Sequence, residues 1–182
     1  MTERVAIIGA GPLGRWLALA AARAGFNVLL EDVMPANLHH AQEWLRAELG
    51  ADALPGITLV WTIEDAVREA DLAIDCVPDE LESKLEILLL LDRMAPPRTV
   101  LATPTTRLSI TDLANCTYRP DQCIAIAEEV RELTGSGGVG GRQITLRTSA
   151  RTSRKSMDLV ERFWKRLGFT PAFESETSSP GI

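Results

Sequence analysis

Histidine and cysteine are scarce in this chain. Among 182 residues there are two histidines, His39 and His40, and three cysteines, Cys76, Cys116 and Cys123. Three scattered thiols exclude a disulfide framework and a Cys/His zinc site, so no metal centre is expected. Long apolar runs are missing too. A membrane helix needs about 20 apolar residues, whereas Ile87-Leu88-Leu89-Leu90-Leu91 already closes with Asp92-Arg93. The N-terminus carries Glu3 and Arg4 ahead of a short apolar run, without a small-residue cleavage site, so it does not read as a secretory signal. The expected location is the cytoplasm. Basic charge is in deficit as well, with 19 Lys and Arg against 25 Asp and Glu, which argues against non-specific nucleic-acid binding. The imbalance is uneven. Residues 142–166 hold eight basic side chains against two acidic ones, while residues 1–100 hold eight against sixteen. The basic stretch suits an anionic contact, either a ligand phosphate or the acidic face of a second copy; opposite patches attract within a Debye length of about 8 Å, and the expectation is a salt-sensitive homodimer.

What is present is ordinary globular material, 46% hydrophobic and 24% charged. A chain of this length buries about 70% of its unfolded surface. Short apolar runs alternate with helical segments. Strands are expected over 4–8, 27–32, 57–61, 72–77, 99–102 and 122–127. Helices are expected over 15–24, 35–49, 62–70, 80–94 and 110–115. Pro35 opens the second helix and Gly50 closes it, and Gly25 stops the first. Six strands in alternation with helices imply an α/β fold, a Rossmann-type doubly wound, mostly parallel sheet with helices on both faces. The pattern breaks after Ala127. Thr134 to Gly141 holds five of the thirteen glycines and reads as a mobile loop, with an anion-binding loop as the sharper alternative. A strand over 142–147, a basic helix over 152–167 and a last strand over 169–173 follow. The expected division is one domain over 1–174 and a flexible tail over 175–182.

The chemistry-bearing motif lies at the first strand-to-helix junction. Gly9-Ala10-Gly11-Pro12-Leu13-Gly14 follows a strand and opens a helix, and Asp32 stands eighteen residues beyond Gly14 at the end of the next strand. Gly9 suits the tight turn, Gly11 lets backbone approach a pyrophosphate, and Gly14 permits close packing of helix on strand. The helix N-terminus offers amides and positive dipole to phosphates. Asp32 suits ribose hydroxyls and repels a 2′-phosphate, which favours NAD over NADP.

Three collinear stretches resemble the NAD-binding domain of the 3-hydroxyacyl-CoA dehydrogenases. They are Val5 to Arg15, Ala70 to Lys84, and Ala95-Pro96-Pro97 through Thr103-Pro104-Thr105-Thr106 to Ala114 and Arg119-Pro120. The resemblance runs from about residue 4 to residue 173. It implies an NAD-dependent oxidoreductase that moves hydride between NAD and a 3-hydroxyacyl thioester or related hydroxy acid. It also places Val77, Asp79, Lys84 and Thr103 beside Gly9, Gly11, Pro12, Leu13, Gly14 and Asp32 in the cofactor set. Asp79 and Lys84 fall on positions that touch the nicotinamide side, Asp79 in place of the usual Glu.

The departures concern the proton. The family's general base is a His in a His-Phe-Phe-Asn-Pro segment, oriented by a Glu on the following strand. By alignment the His position here is Ala127, the Asn position is Val130, and the Glu position falls near Thr145. The first Ser of the family's Asn-Thr-Ser motif is Thr106, and its Asn is Pro104. No catalytic base is therefore assigned. Glu128 and Thr106 are candidates, Glu129 neighbours the same position, and Tyr118 and Lys84 rank below them. His39 and His40 belong to a solvated helix on the adenosine side. The family also carries a helical C-terminal domain that closes the acyl-CoA site and makes the dimer, and this stretch does not include it. The ligand phosphate that the resemblance implies for the basic stretch is a CoA phosphate. The alternative reading is a non-catalytic NAD(H)-binding module, a sensor or a partner subunit.

Overall fold

The computed structural model describes residues 3–50, 54–134 and 141–176. Eight strands form one sheet in the order β3-β2-β1-β4-β5-β6-β7-β8. These are β1 (Arg4–Ile8), β2 (Asn27–Glu31), β3 (Ile57–Val60), β4 (Leu72–Asp75), β5 (Val100–Pro104), β6 (Cys123–Ile126), β7 (Gln143–Thr148) and β8 (Thr170–Ser175). The first six run parallel. β7 is antiparallel to β6, and β8 is parallel to β7. The strand direction therefore reverses after β6, where the sequence alternation broke. The helices are α1 (Pro12–Arg23), α2 (Pro35–Leu49), α3 (Ile63–Val67), α4 (Leu81–Met94), α5 (Ile110–Asn115), α6 (Val130–Thr134) and α7 (Arg154–Arg166).

Two apolar layers sandwich the sheet. One joins Val5, Ile7, Val28 and Leu30 to Leu17, Leu38, Leu45, Phe163 and Trp164. The other joins Ala6, Ile8 and Ala73 to Val67, Leu88, Leu91, Ile110 and Leu113. Strands covered on both faces need continuous apolar sequence, which is why β1, β4 and β6 do not alternate. α7 buries its Val160, Phe163 and Trp164 stripe against the far end of the sheet, where Trp164 meets Phe169 edge-to-face at 5.2 Å.

Four expectations are corrected. The first helix begins at Pro12, three residues early, because proline at the first helical position needs no amide partner. The charged stretch after Ala127 contains α6, too short for a periodic signal. β8 continues to Ser175 instead of fraying there. Beyond it, Glu176 caps α5 by accepting hydrogen bonds from the Ser109 hydroxyl (2.8 Å) and the amides of Ile110 (3.1 Å) and Thr111 (2.8 Å). Burial alone would raise the Glu176 carboxyl, but these bonds hold it below its ordinary value. Positions 135–140 of the glycine-rich stretch and 177–182 of the expected tail lie outside the described residues.

The basic segment finds partners at home. Arg154 pairs with Asp158 at 2.8 Å, Lys165 with Glu161 at 2.6 Å, and Arg162 and Arg166 with Glu3 at 3.2 and 3.5 Å. Asp158 and Glu161 are the two acids of the segment itself, so of these partners only Glu3 comes from the acidic first half.

One contact sets how closely α1 sits on β1. A Cβ built on Gly14 would lie 1.7 Å from the Gly9 carbonyl oxygen, a backbone atom that has nowhere to go. Gly14→Ala should lower stability by at least the roughly 1–3 kcal/mol typical of overpacking, read as a fall in the thermal midpoint. An unchanged midpoint would show that α1 can slide away without cost.

Candidate NAD site

The site lies along the carboxyl ends of β1, β2, β4, β5 and β6. Gly9 adopts φ +103°, open to glycine and strained for other residues. Its amide donates to the Glu31 carbonyl at 2.8 Å, which ties the turn to β2. Gly11 is the N-cap of α1, and no side chain caps the helix there. A Cβ at Gly11 would meet nothing within 4 Å, so it borders open space beside the uncapped first turn. Pro12 is exposed, whereas the Leu13 side chain is buried and only its backbone can serve a ligand. An anion fits against these amides.

Asp32 does two jobs. Its Oδ2 accepts hydrogen bonds from the Ala10 amide (2.9 Å) and the Asn37 side-chain amide (3.0 Å), and its Oδ1 accepts from the Met34 amide (2.8 Å). The carboxylate therefore organises the turn and retains one lone-pair direction on Oδ1 for a ribose hydroxyl. Glu31, just before it, is 2% exposed, and its Oε1 has no partner. Burial, helped by the Asp32 charge, pushes its carboxyl up to about 7. His39 and His40 are exposed on α2, on the β2 side of the site.

Lys84 is corrected outright. It is fully buried, and its Nζ lies 2.5 Å from Asp75 Oδ1, so the ammonium serves the interior instead of a nicotinamide. Register explains this. Ile8 pairs with both Glu31 and Asp75, which puts the two carboxylates and Ile8 on one sheet face, under α3 and α4. Burial raises the Asp75 carboxyl, and Lys84 opposes the rise. Thr103, also expected at the cofactor, is completely buried beside Asp75 and favours its charged form. Asp75 Oδ2 and Thr103 Oγ1 nonetheless have no hydrogen-bond partner. Breaking such a pair typically costs about 3–5 kcal/mol, because a lone buried charge remains.

The nicotinamide end is built from three connections. Asp79, between β4 and α4, accepts the Thr106 amide on Oδ2 at 3.2 Å, and its Oδ1 is buried without a partner. Val77, half-buried, begins the same connection. Thr106, after β5, donates its hydroxyl to Glu129 Oε1 at 3.1 Å. Glu128 does not share that position. Its Oε1 accepts the Thr145 amide at 2.9 Å, which makes it a strut between β6 and β7. The Ala127 amide in turn donates to the Thr145 carbonyl at 2.9 Å. The two positions that the resemblance sets against the family's His and Glu are thus cross-strand neighbours. Tyr118 is 97% exposed, and its amide sits on Asp92, well away from this cluster. Sequence reasoning does not choose between Glu128 and Glu129 as the base, because adjacent glutamates are indistinguishable until a turn separates their directions.

A parallel sheet ordered 3-2-1-4-5-6, with an uncapped glycine turn after β1 and an acid after β2, defines a Rossmann-type dinucleotide-binding protein. Residues 4–126 match the family model described as 3-hydroxyacyl-CoA dehydrogenase, NAD binding domain, and the chain belongs to that family. Its cofactor is NAD. The chain is similar to a probable 3-hydroxybutyryl-CoA dehydrogenase of Bacillus subtilis, 33% identical over 137 residues, 68% of this chain and 47% of that protein. A 5-formyl-3-hydroxy-2-methylpyridine 4-carboxylate 5-dehydrogenase of Mesorhizobium japonicum is 34% identical over 69% of this chain and 44% of its own length. The fold matches the crystal structure of (S)-3-hydroxybutyryl-CoA dehydrogenase from Ralstonia eutropha with a TM-score of 0.85 at 24% identity, covering 97% of this chain and 65% of that one. The chain spans about half the length of the curated relatives it matches. Among the described residues, no helix is long and apolar enough to cross a membrane.

Glu31 makes a pH prediction. A carboxyl whose folded value is raised from 4.5 to about 7 stabilises the fold fully below the unfolded value and loses that contribution as pH rises through about 7. Wild type should lose stability between about pH 5 and pH 8, with a slope of up to about 1.4 kcal/mol per pH unit. Glu31→Gln should flatten that segment of a denaturation series. Parallel curves for the two proteins would refute the assignment.

Proposed function

We propose that this chain is an NAD-dependent oxidoreductase of hydroxy and keto compounds, of the 3-hydroxyacyl thioester or related hydroxy-acid class, with slow or altered proton transfer. The observation that carries the reading is a contrast within one site. The cofactor cradle of Gly9, Gly11, Gly14 and Asp32 is intact, while Ala127 faces Thr145 where the family places its His and Glu. When bound, NAD supplies the hydride acceptor. Amides at the start of α1 hold the pyrophosphate, Asp32 a ribose, and Val77 and Asp79 border the nicotinamide end. The substrate is set by less than the family. One relative at similar identity is named for a hydroxybutyryl thioester and another for a pyridine carboxylate.

Two outcomes test this. NADH should bind at least tenfold more tightly than NADPH, because a 2′-phosphate beside Asp32 brings like charges together. Equal affinities in a calorimetric titration would overturn the cofactor assignment. Asp32→Ala should weaken NADH as well as narrow the gap, since the same carboxylate holds the Ala10 and Met34 amides.

Reduction of acetoacetyl-CoA, followed by loss of NADH absorbance, should run about 10²–10⁴-fold below an ordinary enzyme's turnover of about 10 per second, the usual worth of general acid–base catalysis. A turnover in the ordinary range would show that the missing His is fully replaced. Ala127→His alone should recover little, because Thr145 cannot orient the ring as a carboxylate does.

A further inference from the structure

We propose that Glu129 accepts, through the Thr106 hydroxyl, the proton that a hydroxyl substrate loses at this site. The proposal rests on the oxidoreductase reading above. A hydroxyl has one proton to donate and two lone pairs. The Thr106 proton is directed at Glu129 Oε1, 3.1 Å away, which leaves its lone pairs for a substrate O–H. That distance is long for an O–H···O bond, and such contacts commonly tighten only once substrate is bound.

The surroundings hold both residues in place. The Thr106 amide donates to Asp79, and the Arg107 guanidinium donates to the Asp79 carbonyl at 2.8 Å, which fixes the loop after β5 against the loop after β4. The Glu129 carbonyl accepts the amides of Glu132 (2.9 Å) and Leu133 (3.1 Å) in the first turn of α6. Three charged side chains nearby are committed. Glu128 is bonded to the Thr145 amide. Arg147 donates to the Thr105 carbonyl at 2.7 Å and lies 3.7 Å from Glu176. Arg142 donates to the Glu132 carbonyl. Glu129 is exposed, so a proton it receives can pass to water.

The step balances. In the oxidising direction the substrate's C–H leaves as hydride to NAD⁺. Its O–H proton moves to Thr106 Oγ1 as the Thr106 proton moves to Glu129. The products are a ketone, NADH and a protonated Glu129 that water then discharges. In reduction the same path runs backward.

The test uses the full chain, with NADH binding read by fluorescence beside steady-state kinetics. Glu129→Gln should lower kcat about a hundredfold, with KM and NADH affinity changed less than twofold. It should also remove the fall in kcat toward acid pH. Glu129→Asp should restore part of kcat and the acid limb. Thr106→Val should match Glu129→Gln, Thr106→Ser should recover activity, and the double variant should be no slower than either single one, because the two act as a unit. Three results would overturn the relay while leaving the oxidoreductase reading intact: wild-type kcat in Glu129→Gln, multiplicative losses in the double variant, or a loss of NADH affinity that accounts for the whole effect. A wild type that binds NADH yet converts no hydroxy or keto compound defeats the oxidoreductase reading, and the relay with it.

Discussion

The approach of Gly14 to the Gly9 carbonyl governs the rest of the molecule. Because no side chain intervenes, α1 begins directly over the end of β1, and its uncapped first turn becomes the floor of the cofactor cleft. The same closeness leaves Asp32 within reach of the Ala10 amide, so the acid after β2 and the turn after β1 form one hydrogen-bonded unit. Cys76 closes the cradle from the other side. Its carbonyl would lie 3.3 Å from a Cβ on Gly9, and its thiol is pushed up by burial beyond any reactive range. Packing, more than charge, shapes the place where charge is then used.

Beneath the cleft, the chain stores polar groups where a parallel sheet is normally greasy. Glu31, Asp75, Lys84 and Thr103 all lie in the interior at the carboxyl ends of the central strands. Only Asp75 and Lys84 satisfy each other directly, and even that pair leaves Asp75 Oδ2 bare. Desolvation costs of this kind are usually tolerated near function rather than for stability. Lys84 ties α4 to β4, so the Asp79 loop between them is anchored at both ends. Lys84, buried and paired with Asp75, can thereby control where Asp79 and Thr106 meet.

Much of this was legible in the residues, for physical reasons. Apolar runs marked β1, β4 and β6 because both faces of each are covered. Gly9, Gly11, Gly14 and Asp32 were legible because each meets a requirement that few other residues can. Lys84 was misread, because a motif position says nothing about which way an ammonium turns, and the Ile8 register with Asp75 is a long-range fact. α6 spans five residues and carries no periodicity of its own. Glu176 looked like tail, yet its carboxylate completes the N-terminus of α5, a contact set by residues sixty-five to sixty-seven positions apart.

The separation of Glu128 from Glu129 carries the same lesson into chemistry. Both follow β6, and both are acids beside the position where the family keeps its base. Glu128 accepts the Thr145 amide, a donor on the strand that carries the family's orienting Glu. That bond fills a structural need left at the β6–β7 pairing, where Ala127 and Thr145 join through their backbones alone. With Glu128 committed, Glu129 is turned onto Thr106, on the β5 side of the cleft. Where the resemblance sets the family's imidazole, the structure thus presents a carboxylate and a hydroxyl from two neighbouring loops. A carboxylate is a weaker base than an imidazole. The weaker base agrees with the proposed slow turnover, in which proton transfer and not hydride transfer sets the rate.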